Sequence, residues 1–176
     1  MPVRKHPVAV LRHNDPLPGL PVDAALASRL RSTYDRVRAD GPRLAEIFYA
    51  RLFAAAPHLR PLFSADPAAQ AHKLMSALDA VVANLERPAE NHAILAALGR
   101  RHAEYGARPE HYHLVIDLIV DSMRALLGPR ATDRDLHEWR TALRLISNQM
   151  LAAAAAAPET QSSPAPAISL RRALDS

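Results

Sequence analysis

One of the nine histidines in this chain lies on an apolar helical stripe. His102 follows Leu95 and Leu98 at helical spacing, so it reads as an inward histidine near the end of a helix. An imidazole placed that way can be an axial ligand to a metal through Nε2. Its other nitrogen then needs an acceptor, often a backbone carbonyl one turn earlier. The other reading is a core histidine with its hydrogen bonds satisfied. His111 and His113 are two residues apart and do not share a helix face, so they are not read as a metal pair.

Upstream stand Tyr49, Phe63, Gln70 and Leu74, spaced so that they could line the far wall of a pocket facing His102. Tyr49 and Gln70 are the polar residues that interrupt otherwise apolar inner stripes. Together they would give two donors for a ligand that gains negative charge, as dioxygen does at a haem iron. Leu74 would add an apolar wall, and Phe63 a ring wedged against the plane of the cofactor. Read without a ligand, Phe63 is a core aromatic and Tyr49 a hydrogen-bonded structural tyrosine. Tyr112, ten residues after His102, either stacks beneath the cofactor or caps the core.

The elements that must hold these residues are helices. Five glycines among 176 residues, and no alternation of β-branched with polar residues, favour an all-α fold over a sheet. The spacing predicts helices over about 23–38, 42–57, 67–85, 90–104, from 109 to Gly128, and from Thr132 onward, with a short Pro-containing turn at 58–63. Thr132-Asp133-Arg134-Asp135 resembles a capping box, with Asp in place of Glu. Gly106 stops one helix and Pro109 starts the next. Residues 1–22 read as an irregular Pro-rich arm, residues 23–157 as one domain, and residues 158–176 as a disordered Pro/Ser tail.

Composition removes several classes of function. There are no cysteines, so disulfides, iron–sulfur clusters and thiolate chemistry are out. The net charge of +4 comes from scattered arginines without interleaved aromatics, which argues against nucleic acid as a partner. No apolar run of about 20 residues suggests a membrane span, and no signal peptide is visible. The expected location is cytoplasmic.

Three strings taken in order carry a resemblance: Ile-Phe-Tyr-Ala-Arg-Leu-Phe-Ala-Ala-Ala-Pro-His-Leu-Arg-Pro-Leu-Phe (47–63), Gln-Ala-His-Lys-Leu-Met (70–75) and Gly-Arg-Arg-His-Ala-Glu-Tyr-Gly-Ala-Arg-Pro-Glu-His-Tyr (99–112). With Trp139, they make residues from about 24 to 151 resemble a single-domain bacterial globin, similar to the globin domain of flavohaemoglobins. The resemblance implies a globin fold and a haem b cofactor with His102 as proximal iron ligand. It also implies Tyr49 and Gln70 as the distal dioxygen-binding pair, Phe63 and Leu74 against the haem, and Tyr112 as the proximal tyrosine. Lys73 would reach a haem propionate or the distal mouth.

The chain departs from that family in two ways. The family carries a glutamate fifteen residues after the tryptophan, and here that position is Ala154; Glu159 lies beyond Pro158. The resemblance then implies a less anionic His102 imidazole, which weakens the case for peroxidase-like reactivity and fast turnover. The chain also has no Gly-rich phosphate loop for a nicotinamide cofactor. The expected function is dioxygen binding on ferrous haem and conversion of nitric oxide to nitrate, fed by an external NAD(P)H-dependent reductase. The alternative is a non-catalytic oxygen carrier, reservoir or haem-based gas sensor.

Overall fold

A computed structural model describes residues 22–63 and 65–156. The Pro-rich arm, apart from its last residue, and the C-terminal tail lie outside the described residues. Six α-helices follow one another: α1 (Ala24–Arg38), α2 (Gly41–Ala55), α3 (Pro67–Ala83), α4 (Pro88–Glu104), α5 (Pro109–Leu127) and α6 (Asp133–Ala155). Two 3-10 turns, Pro57–Leu62 and Gly128–Arg130, complete the described elements, and none of them is a strand. None of the helices is long and apolar enough to cross a membrane.

The helix starts follow from local chemistry. The Asp23 carboxylate accepts from the Leu26 amide at 2.7 Å, and Asp66 accepts from the Ala68 and Ala69 amides. Thr132 and Asp135 form the expected reciprocal box: the Thr132 hydroxyl accepts from the Asp135 amide, and the Asp135 carboxylate from the Thr132 amide. α4 begins at Pro88, two residues before the expected start near 90, because a proline's missing N–H costs nothing at the first helical position. In the same way α3 ends at Ala83 rather than near Leu85.

Helices α1, α3 and α4 touch in series, as do α2, α5 and α6. The two series meet through α4 on α6, α2 on α3, and α1 on α6, α5 and α2. Leu30, Leu44, Leu52, Leu95, Met123, Leu127 and Leu136 are fully buried between them. Each such side chain contributes about 1.5–3 kcal/mol by leaving water. Trp139 packs in the same core, its ring 6.0 Å from that of Tyr34.

An ion cluster ties the first helix to the last. Glu138 accepts from Arg29 Nε at 3.0 Å and from Arg134 Nε at 3.0 Å. The Arg29 hydrogen bond, working against the cost of burial and helped by Arg134, holds the Glu138 carboxyl below its ordinary 4.5. A depressed carboxyl stabilises the fold above its unfolded value, and that stability is lost as pH falls through the folded value. Glu138→Gln is therefore expected to lower the urea midpoint at neutral pH and to converge with the parent only as the pH falls through the folded value, which lies below 4.5. Parallel curves down to acid would show that Glu138 does not contribute in this way.

Candidate functional site

Tyr49 sits near the middle of α2 and is half-buried. Its hydroxyl accepts from Gln70 Nε2 at 3.1 Å and can donate to the Gln70 backbone carbonyl at 3.4 Å, a long and weak bond. Gln70 is held there because Asp66 caps α3 and Pro67 opens it, which puts the glutamine in the first turn. Burial pushes the Tyr49 phenol above its ordinary 10.0, against a smaller opposite pull from Gln70. The phenol therefore stays protonated, and a donor, at any ordinary pH.

Aromatic rings surround this pair. Phe48 and Phe63 stand edge-on to Tyr49 at 4.9 and 5.7 Å, and Phe53 stacks on it at 5.9 Å. Phe63 follows the 3-10 turn in extended conformation and also packs edge-on against Phe53 at 5.4 Å. Sequence reasoning placed Phe53 only as a core residue of its helix. Its i+4 spacing from Tyr49 was the available signal. Leu74 is half-buried against the core, and Lys73 is exposed.

The second group stands on α4 and α5. His102 Nδ1 lies 2.8 Å from the Leu98 carbonyl, the acceptor one turn earlier that a ligating histidine needs. A carbonyl only accepts, so in the neutral ring the proton sits on Nδ1 and the lone pair on Nε2. That lone pair is what a haem iron requires, and the residues present fit the group. Just beyond, Gly106 takes φ +85°, a conformation that costs glycine little, and the Ala107 amide donates to the His102 carbonyl at 2.9 Å.

His102 itself is exposed. Every residue from Arg100 to Gly106 is exposed, because the last turn of α4 runs past the core and the buried part of the stripe ends before it. The Tyr112 ring is 6.1 Å away, and burial raises its phenol above the ordinary value. The preceding residue, His111, accepts from the Arg108 amide through Nδ1 at 3.1 Å, an N-terminal cap that the sequence reading did not foresee. Ala154 is half-buried near the end of α6, so that position offers no carboxylate; Glu159 lies outside the described residues. Among the described residues, no three His, Asp or Glu side chains gather to hold a bare metal ion.

The globin family model matches residues 46–150, a span that contains Tyr49, Phe63, Gln70, His102 and Tyr112. The chain is a globin. Relatives of this globin include the flavohemoproteins of Rhizobium meliloti, 34% identical over 64% of this chain and 30% of that protein, and of Bordetella pertussis, 26% identical over 69% and 31%. The chain thus spans about a third of the length of the curated relatives it matches. Among solved structures, an engineered carbene transferase derived from a candidate nitric oxide dioxygenase of Rhodothermus marinus superposes with a TM-score of 0.68. It is 26% identical and covers 76% of this chain and 94% of its own. A bacterial globin from Campylobacter jejuni, 18% identical with a TM-score of 0.67 over 76% of this chain and 96% of its own, shares the fold.

Proposed function

We propose that this globin holds haem b through His102, binds dioxygen beside Tyr49 and Gln70, and converts nitric oxide to nitrate with electrons from an external NAD(P)H-dependent reductase. The observation that carries this reading is the hydrogen-bonded Tyr49–Gln70 pair inside a ring cluster that includes Phe63. Among the relatives, the flavohemoproteins and the Rhodothermus protein give it further support.

Haem, when bound, supplies a redox-active iron that takes a diatomic ligand and delivers one electron. Nitric oxide, dioxygen and that electron together balance to nitrate. The chain's own residues do the rest. The Leu98 carbonyl fixes the tautomer and orientation of His102. Tyr49 keeps its proton and swings its weakly held hydroxyl from the Gln70 carbonyl toward negative charge as that charge develops. Phe63 and Leu74 present apolar surface that excludes water, which strengthens the Tyr49 bond. Lys73, exposed one turn along α3 from Gln70, would meet a propionate.

Tyr49→Phe is expected to speed dioxygen dissociation by about tenfold or more, since a charge-assisted hydrogen bond contributes ~1.5–3 kcal/mol. Stopped-flow displacement of dioxygen by carbon monoxide reads this directly. An unchanged rate would mean that Tyr49 does not meet the ligand.

The second reading, an oxygen carrier, reservoir or gas sensor without turnover, is favoured by Ala154. With no carboxylate at that position, less electron density is pushed through His102 toward the iron. The deciding experiment is aerobic nitric oxide consumption by the haem-loaded protein with NADH and a reductase-containing extract. Sustained consumption that is absent in a His102→Ala control supports the enzyme. One stoichiometric burst followed by ferric protein supports the carrier or sensor.

A further inference from the structure

Arg140 on α6 reaches across to α5, where its Nε lies 3.0 Å from Asp117 and its guanidinium 3.8 Å from Asp121. One turn farther along, the same two faces meet again with different partners. Arg144 stands one turn after Arg140, and His113 one turn before Asp117. These two line a cleft of about 110 Å³ between the helices, together with Ser147 and Asn148. No carboxylate lines it, and among the described residues Arg144 makes no ion pair. Ser147 is only 8% exposed, and its hydroxyl likewise has no hydrogen-bond partner among the described residues. Arg144, His113 and Asn148 are exposed at the rim, while the buried Ile116 and the half-buried Leu151 and Tyr112 give an apolar floor.

We propose that this cleft binds a small monocarboxylate, its charged end on Arg144, Ser147 and Asn148 and its alkyl end on Ile116 and Leu151. Every polar side chain in the lining can donate a hydrogen bond: guanidinium, hydroxyl, carboxamide and imidazole. A carboxylate only accepts, so it satisfies several of them at once, and the planar guanidinium fork matches its two oxygens. The acids of α5 on either side are already held, Asp117 and Asp121 by Arg140 and Glu110 by Arg108. Given the roughly 30 Å³ share of one water molecule, the volume takes an anion of about four non-hydrogen atoms, the size of acetate or slightly more. Nitrate meets the same donors but sets an oxygen against the apolar floor, where it loses hydrogen bonds to water without replacement. Tyr112 joins the cleft to His102, whose ring is 6.1 Å from its own, yet the cleft needs no haem to bind its anion.

Amide NMR of the isotope-labelled protein, titrated with sodium propionate at constant ionic strength, reads the site. The signals of residues 112–116 and 147–151 are expected to move and to saturate, while those near Glu138 stay in place. Arg144→Gln should weaken binding by about tenfold or more, through loss of a charge-assisted hydrogen bond. Asn148→Asp sets a carboxylate of the chain's own beside Arg144 and should abolish binding. Both positions are exposed, so each variant is expected to melt with the parent, and one folded variant is enough for the comparison. Sodium nitrate should bind about tenfold more weakly than propionate, which alone buries alkyl carbon. Shifts that never saturate, or that either folded variant leaves unchanged, would overturn the site. Nitrate binding as tightly as propionate would overturn the carboxylate as its ligand.

Discussion

Gly99→Ala is expected to cost this globin about 2–4 kcal/mol, a large share of the 5–15 kcal/mol that holds a typical domain together. A Cβ on Gly99 would stand 2.1 Å from the Met150 carbonyl oxygen and 2.8 Å from its carbon, where ordinary contact begins near 3.4 Å. The atoms it meets are backbone of α6 at Met150, so no side chain can swing aside. The helices must part, and α4 on α6 is the most extensive contact in the fold. Alanine's better helix propensity returns only about 1 kcal/mol. The thermal midpoint should fall by roughly 5–15 °C. Because His102 lies one turn after Gly99, its displacement should also loosen haem retention. A variant that melts with the parent would show that α4 and α6 do not approach in this way.

His102→Ala should leave a folded protein that retains almost no haem. The side chain is exposed, and its one hydrogen bond, to Leu98, contributes only about 1 kcal/mol, while alanine suits the last turn of a helix. Against the haem-free parent the melting curve should therefore move little, whereas the haem-loaded parent gains a stability from binding that the variant lacks; pyridine haemochrome assay of the purified protein measures the loss of haem. Exogenous imidazole added to His102→Gly should restore haem, since it supplies the same nitrogen to the space left behind. Haem content near the parent's in either variant, without imidazole, would remove His102 from the iron. The contrast between the two predictions is informative. Gly99 is structurally costly to change and makes no chemistry of its own, whereas His102 is the reverse.

Much of the fold is legible in the sequence, because helix ends are local events. Asp23, Asp66, Pro67, Gly106, Pro109 and the Thr132–Asp135 pair each act within three or four residues of themselves, and they mark their helices where expected. Pro88 misled for the same local reason, since proline both ends one segment and opens the next. The family was also legible, because the order and spacing of the strings that hold Tyr49, Phe63, Gln70, His102 and Tyr112 survive without any three-dimensional information.

Distances across helices were not legible. Periodicity tells which face of α4 is apolar but not where the facing α6 and the core stop: Gly99 is buried, and the helix is exposed from Arg100 on. Tyr49 and Gln70, separated by 21 residues, read as two independent donors. They are instead bonded to each other, because the crossing of α2 and α3 brings their side chains together. Gly99 carried no signal that its missing Cβ makes room for a carbonyl from another helix. The sequence determined where most of the helices begin and which residue types stand on their faces. The tertiary structure decided how closely the helices approach, because that depends on the shapes of both packed faces at once and no single stretch of chain holds that information.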